Sequence, residues 1–391
     1  MKKRLKIFVF TATRSEYGLL FWVLKEFEKD PDVDLHLIVS GTHLSKKYGF
    51  TITEIKKEKW KNLICIKTLN DKNNLVEIAN SISNGINGLS KIFKDNKPDC
   101  LIVLGDRYEL FSVMAVCTLF NIPIAHISGG EITEGAIDNQ IRNALTKVSH
   151  LHFVATENYK KRLLQLGEEK WRVLKTGETG IDNILNLNLI SIEQLSKSLG
   201  LNLIKKTALV AFHPVTLELD KLDNYLVSLL KALDCFDLQY VFTYPNNDPG
   251  SKKIIISFEN YVKKNYKNSV IIKSLGQQKF LSLLHYVKLI IGNSSSGIVE
   301  APSLNLPCVN IGNRQKGREF GKNVFQTNYD EMNIKRAIEK CFDYKYKFTT
   351  NPYGKGNSSI KVKDYIKEIF KVKSKNEILT KKFVDYDFNY K

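Results

Sequence analysis

At 391 residues the chain is longer than one ordinary hydrophobic core organises, so two domains are expected. Hydrophobic residues at 43 % and aromatics at 10 % exclude a disordered or fibrous chain and are those of a globular protein. The net charge of +18 is spread thinly over lysines interspersed with asparagines. With no RRM, zinc-finger or helix-turn-helix pattern beside it, the charge reads as solvated surface plus a local anion site, with neither nucleic acid nor membrane as partner.

The first strand is expected at 7–10 and ends in Thr11-Ala12-Thr13-Arg14-Ser15-Glu16-Tyr17-Gly18, ahead of helical periodicity over 19–28. That apolar run is too short, and too soon interrupted by Arg14 and Glu16, to be a secretion signal. An arginine on a strand-to-helix turn is well placed to meet an anion with the help of the helix dipole. Strands at 35–39 and 64–69 follow. A long half-buried helix is expected over 75–93, where Ile78, Ile82, Ile86, Leu89 and Phe93 recur at helical spacing.

Residues 101–151 are the centre of the chain's chemistry. The run Leu101-Ile102-Val103-Leu104 stops at Gly105-Asp106-Arg107, as a buried parallel strand does, and ligands sit beyond the carboxyl ends of such strands. A second strand at 122–125 ends at His126 and leads to Gly129-Gly130-Glu131, where glycines let the backbone turn sharply beside a carboxylate. Glu134 and Asp138 follow. Arg142 stands four residues beyond Asp138, a spacing that puts acid and base on one helix face. Taken singly, Asp106 reads as a helix cap and Asp138 with Arg142 as a surface pair. Taken together at two adjacent strand ends, they read as a site.

A strand at 151–154 completes the first half, and the regular alternation means a doubly wound parallel sheet. The rhythm loosens around 176–188, which places the first domain at 1–177 and the second at 178–355, with a helical segment over 356–391. Strands at 208–212, 239–244, 270–273, 289–291 and 308–311 make the second half another Rossmann-like α/β domain.

Its strongest local signal is Gly292-Asn293-Ser294-Ser295-Ser296-Gly297. Small hydroxyl residues where a helix opens direct backbone N–H groups and side-chain donors to one point, which suits a diphosphate better than a plain serine cap. Arg314, at the next strand end, is placed to neutralise a phosphate oxygen, and Glu300 to take both hydroxyls of a ribose. His213 ends the strand at 208–212 beside Pro214 and reads either as a satisfied core histidine or as a turn residue of the site. No GxGxxG supports a bound dinucleotide, and no HExxH or CxxC pattern supports a metal. Of the six cysteines, Cys100 and Cys117 lie in apolar runs as small core residues. A reducing, cytoplasmic setting is expected, and no segment approaches the length of a membrane span.

Over nearly its whole length the chain resembles the hydrolysing UDP-N-acetylglucosamine 2-epimerases of sialic-acid pathways. The resemblance is carried by the loop Thr13 to Gly18, by Gly105-Asp106-Arg107-Tyr108-Glu109 and by His126-Ile127-Ser128-Gly129-Gly130-Glu131. It extends through Gly135-Ala136-Ile137-Asp138 with Arg142, Asn293-Ser294-Ser295-Ser296-Gly297 with Glu300, and Arg314-Gln315-Lys316-Gly317-Arg318-Glu319. It implies two Rossmann-like domains facing a central cleft as in GT-B enzymes, with the C-terminal helical segment packing back on the first domain. Non-hydrolysing relatives carry lysine five residues after the first arginine; Leu19 here favours the hydrolysing branch. Many hydrolysing relatives have a second glutamate where this chain has Ser128, leaving that place to Glu131 or Glu134.

On this resemblance the catalytic residues are Asp106, Glu131, Asp138 and His213. The substrate-binding residues are Arg14, Arg107, Glu134, Arg142, Phe280, Ser294, Ser295, Ser296, Glu300 and Arg314. No cofactor and no metal are expected, and the partners are a UDP-sugar and further copies of the chain in a homo-oligomer (dimer or tetramer). The implied reaction eliminates UDP from UDP-N-acetylglucosamine across C1–C2 and hydrates the glycal to N-acetylmannosamine. The same reaction on UDP-N,N′-diacetylbacillosamine is the first alternative, and a GT-B glycosyltransferase the second.

Overall fold

The computed structural model describes residues 4–69, 75–132, 137–215, 218–245, 249–343 and 350–385. The chain divides into two compact units, one of Met1–Asn183 with Gly356–Lys391 and one of Ile184–Lys355.

The first unit is built on seven parallel strands: β1 (Leu5–Thr11), β2 (Val33–Val39), β3 (Leu63–Cys65), β4 (Cys100–Leu104), β5 (Ile124–Ile127), β6 (Leu151–Val154) and β7 (Val173–Lys175). Their order across the sheet is β3-β2-β1-β4-β5-β6-β7. The central strands are mostly apolar because both faces are covered: β4 is apolar throughout, and β1 from Ile7 to Phe10. Ile7 and Val9 of β1, with Ile102 of β4, enter one apolar layer. Phe8 and Phe10, with Leu101 and Val103, enter the other, against the helices Leu75–Asp95 and Leu110–Leu119. Alternating side chains thus feed two cores, the period-two consequence of a pleated strand.

The second unit repeats the plan with six parallel strands: β8 (Thr207–Ala211), β9 (Gln239–Thr243), β10 (Ser269–Ile272), β11 (Leu289–Gly292), β12 (Cys308–Ile311) and β13 (Val324–Thr327). Its order is β10-β9-β8-β11-β12-β13, the doubly wound arrangement in which the chain reverses direction beside the first strand. Ala208 and Val210 face one layer, Leu209 and Ala211 the other. Both units are Rossmann-like.

The chain returns to the first unit through the helix Ser358–Val372. Val362, Ile366 and Ile369, at helical spacing, bury themselves in the layer that holds Leu20, Val23 and Phe27 of the helix Arg14–Glu28. Its N-terminus is capped from the far side of the sequence: the Asp182 carboxylate accepts the N–H groups of Ser358 at 3.1 Å and Ser359 at 2.7 Å. Further on, the fully buried Arg172 donates to the carbonyls of Ile378 at 2.7 Å and Thr380 at 2.9 Å.

Two strand expectations change, and two strands go unforeseen. The run expected as a strand at 64–69 is strand only over Leu63–Cys65, as β3. The run at 122–125 becomes β5 at Ile124–Ile127, because Pro123 has no N–H for the ladder and its carbonyl receives the Leu101 N–H at 2.9 Å. His126 is therefore inside the strand and buried, not beyond its end. The strands β7 and β13 are short edge strands with largely half-buried residues, so they carry too little apolar signal to be read in advance. Cys100 and Cys117 are buried free thiols, as their apolar surroundings suggest.

Burial pushes several histidines down: His43 to about 4, His126, His150 and His213 to about 3, and His152 below its ordinary value. In each the neutral ring is the folded form, while an unfolded ring takes up a proton as pH falls through about 6.5. The unfolded chain then binds more protons, so stability is lost progressively from about pH 6.5 towards pH 4. Glu16, pushed up to about 7 by burial, and Glu300, held above its ordinary range by burial, work in the opposite sense, but they are two groups against five. Melting temperature recorded at constant ionic strength is expected to fall across that window. A flat profile from pH 7 to 4.5 would show that these rings are charged in the native state.

Candidate active site

In the first unit the strand order reverses between β1 and β4, and the loops after these strands and β5 carry the polar groups. After β1, Thr13 caps the helix Arg14–Glu28 in a capping box. The Glu16 carboxylate accepts the N–H groups of Ala12 at 2.8 Å and Thr13 at 2.9 Å. Burial, reinforced by the neighbouring Glu109 charge, raises this carboxyl to about 7. Arg107 lies over Glu109 as a fork, with Nε and Nη2 each 3.3 Å from a carboxylate oxygen. Glu16 and Glu109 thus join the charged group around Arg107, although neither was given a role in the site from the sequence. Arg14 is exposed on the first turn, with Nε 3.6 Å from Glu54.

After β4 the chain turns at Gly105, whose φ of 81° is open to glycine at no steric cost. The Gly105 N–H is held by the Ile127 carbonyl at 3.0 Å, and its carbonyl lies 2.8 Å from His126 Nε2. His126 Nε2 therefore carries the ring proton. Its Nδ1 is buried and has no hydrogen-bond partner among the described residues.

Asp106 follows, one-fifth exposed. It does not cap the next helix, which starts at Leu110 with Glu109 as N-cap. Instead it receives the guanidinium of Arg142, which is buried on the helix Ile137–Val148. The same guanidinium donates to the Glu131 carbonyl at 2.8 Å. The spacing of Asp138 and Arg142 suggested a surface pair, whereas the buried Arg142 clamps the β4 loop to the β5 loop. Asp138 is half-buried in the first turn of that helix. Glu134 lies outside the described residues.

Beside this group Ser128 meets Glu178, a residue not singled out from the sequence. Ser128, immediately after β5, has φ 66° and its hydroxyl donates to the Glu178 carboxylate at 3.3 Å. Both residues are buried.

In the second unit the reversal lies between β8 and β11, and Asn293 is its hub. Gly292 precedes it at φ 141°, where a Cβ would come 2.0 Å from the Ala211 carbonyl oxygen, so only glycine fits. The buried Asn293 side chain accepts the His213 N–H at 2.7 Å and donates to the His213 carbonyl at 2.9 Å. Its carbonyl accepts Arg314 Nη1 at 3.0 Å and Gln315 Nε2 at 2.8 Å. One asparagine thereby gathers the ends of β8, β11 and β12. Burial, helped by the Arg314 charge, keeps His213 neutral down to about pH 3. It is therefore a neutral hydrogen-bonding group at physiological pH rather than a cation.

Ser294, Ser295 and Ser296 are half-buried and lead into a single turn of helix, Ser296–Val299. Glu300 ends that turn; one of its carboxylate oxygens is buried without a hydrogen-bond partner among the described residues, and burial holds its carboxyl above the ordinary range. An acceptor left open in this way is suited to a ligand hydroxyl. Phe280 is half-buried on the helix Gly276–Tyr286 and packs against the apolar layer of this unit. Among the described residues no three His, Cys, Asp or Glu side chains are grouped to hold a metal ion, and no helix is long and apolar enough to cross a membrane.

Known proteins share this plan. Residues 25–367 match the profile of the UDP-N-acetylglucosamine 2-epimerase family. The GDP/UDP-N,N′-diacetylbacillosamine 2-epimerase (hydrolyzing) of Campylobacter jejuni is 42 % identical over 349 residues, covering 89 % of this chain and 90 % of the relative. Polysialic acid biosynthesis protein P7 of Escherichia coli is 37 % identical over 378 residues, covering 95 % of this chain and 96 % of the relative. The solved structure of the UDP-GlcNAc 2-epimerase of Neisseria meningitidis, bound to UDP-GlcNAc, superposes with a TM-score of 0.80 at 20 % identity. It covers 93 % of this chain and 100 % of that one, a likeness of fold.

Proposed function

The chain belongs to the UDP-N-acetylglucosamine 2-epimerase family, and from that premise we propose that it is a hydrolysing 2-epimerase. It would convert UDP-N-acetylglucosamine and water to UDP and N-acetylmannosamine. One observation carries the reading: Arg142 clamps Asp106 to the Glu131 loop, gathering carboxyl-bearing turns at the carboxyl ends of β4 and β5.

The chemistry calls for such a group. The hydrogen on C2 has no carbonyl beside it, so it leaves only as the C1–O bond breaks and positive charge develops at C1. In the first step a base takes the C2 proton, the C2–H electrons form the C1–C2 double bond, and the C1–O electrons depart with UDP. In the second, a proton is delivered to C2 from the opposite face and water adds its hydroxyl to C1. Carboxylates both exchange these protons and stabilise the cationic character, as in glycosidases. We assign these roles to Asp106, Glu131 and Asp138.

The departing diphosphate needs hydrogen-bond donors and positive charge. Ser294, Ser295, Ser296 and Arg314 supply them in this reading, with neutral His213 as a further donor or acceptor and Glu300 receiving ribose hydroxyls. Arg14 and Arg107 provide additional cations for the substrate, Phe280 an apolar contact. Redox chemistry has no part in the scheme, since the substrate and products are at one oxidation level.

A second reading keeps the mechanism and changes the sugar to UDP-N,N′-diacetylbacillosamine. It is favoured by the 42 % identical relative, whose name carries that substrate. Incubating the protein with each sugar nucleotide in heavy water and following the products by NMR tests both. The expected result is UDP release with solvent deuterium at C2 of the liberated, epimerised sugar. Release of a sugar that keeps its original C2 hydrogen would replace this reading with simple hydrolysis or glycosyl transfer.

A further inference from the structure

A carboxylate from 50 residues further along the chain is anchored to the β5 turn. The Ser128 hydroxyl donates to both oxygens of Glu178, at 3.4 and 3.3 Å. Ser128 is held in a left-handed conformation, φ 66°, which disfavours any residue with a Cβ. The Phe153 carbonyl grips its N–H at 2.9 Å, so the sheet itself enforces that conformation. Two residues before Ser128, His126 holds the Gly105 carbonyl; three residues after it, the Glu131 carbonyl is held by the guanidinium that also holds Asp106. The Ser128 hydroxyl therefore stands in the segment joining the proposed proton-transfer groups.

Glu178 is delivered to it by a braced loop. Thr176 N–H bonds the Val154 carbonyl at 3.0 Å, and the Thr176 carbonyl accepts the Ser358 hydroxyl at 3.0 Å and Lys361 Nζ at 3.2 Å. Four residues beyond Glu178, Asp182 caps the returning helix, and Asn183 Nδ2 holds the Gly18 carbonyl at 3.1 Å. A strained serine and a buried carboxylate are costly together, and apolar side chains would fill the same space with less penalty. Such a combination suits a functional contact better than a packing role.

Resting on the epimerase reading, we propose that Glu178 is a positioning residue of the sugar site and that Ser128 is the residue it positions. With its proton committed to Glu178, the Ser128 oxygen is left as an acceptor. The group it would receive is an amide N–H or a hydroxyl of the bound sugar, so the pair would select a donor-bearing sugar and fix it for proton exchange at C2.

The test compares Ser128→Ala, Glu178→Gln and the double variant with the wild type, measuring kcat/KM for UDP release and inhibition by UDP. Each single variant is expected to lose on the order of 10²-fold in kcat/KM, the scale of a misplaced substrate. The double variant is expected to lose no more than the worse single, with inhibition by UDP unchanged, because the two groups act as one unit. Wild-type kcat/KM in either folded single variant, or losses that multiply in the double, would overturn the proposal. So would losses accompanied by weakened UDP binding, which mark a merely structural role. If Glu178→Gln does not fold, Ser128→Ala, which deletes one oxygen, decides by its own kcat/KM. A wild type that releases no UDP from either sugar nucleotide would instead overturn the epimerase reading itself, and this proposal with it.

Discussion

Turnover is expected to fall by about 10²- to 10⁴-fold when Asp106, Glu131 or Asp138 is replaced by its amide, the range for loss of a positioned acid or base. Asparagine and glutamine keep the shape and hydrogen-bonding reach of the carboxylates but remove the exchangeable proton and the charge. The three should not behave alike. Asp106 is tied to the buried Arg142 guanidinium, so its charge stabilises the site and the loss in the Asp106→Asn variant would combine electrostatic and positional effects. Glu131 is held through its backbone carbonyl, which leaves that tether intact when the side chain is changed. Steady-state UDP release and inhibition by UDP separate the roles, since the proposed nucleotide ligands are other residues. An amide variant that retains wild-type turnover would remove its residue from the proton-transfer set.

The second large effect belongs to Arg142. Replacing it with methionine preserves much of the side-chain length but strips the Asp106 carboxylate and the Glu131 carbonyl of a donor. Removing one partner of a fully buried ion pair costs about 3–5 kcal/mol, and partial exposure of Asp106 to water reduces the expected loss to about 2–3 kcal/mol. Denaturant unfolding should show a lower midpoint at unchanged slope. Combining Arg142→Met with Asp106→Asn should recover part of the loss, because the neutral amide no longer leaves a charge without its cation. Additive losses would mean that the pair contributes nothing as a pair.

Both effects depend on contacts that the sequence showed unequally. The sheet plan was legible because Leu101 to Leu104, Ala208 to Phe212 and similar runs are buried on both faces, which leaves an uninterrupted apolar signature. Asp106 was legible as the first acid after such a run. The partner of Arg142 was not: helical spacing points to Asp138, whereas burial of the guanidinium and the turn at Gly105 bring it to Asp106. Glu178 was hidden for a different reason. It is separated from Ser128 by a whole strand-helix-strand passage, and nothing in local spacing records that the loops after β5 and β7 meet. Glu16 was hidden because its crowding by Glu109 joins the loops after β1 and β4, a contact that no local spacing records.

The chain leaves the first unit at Asn183 and re-enters it at Gly356, and this has a consequence for synthesis. While a ribosome is still making the second unit, Leu20, Val23 and Phe27 have no Val362, Ile366 or Ile369 to complete their apolar layer. The Asp182 carboxylate likewise waits for the N–H groups of Ser358 and Ser359. The unit begun first is thus finished last, and the inserted unit, whose strands are contiguous in the chain, can close beforehand. Growing chains expose a sticky face for the time needed to add roughly 170 residues, on the order of ten seconds or more at ordinary elongation rates. Demand for chaperones should therefore peak late in translation, and messages broken before the codon for Val362 should yield aggregates rather than a shorter working protein.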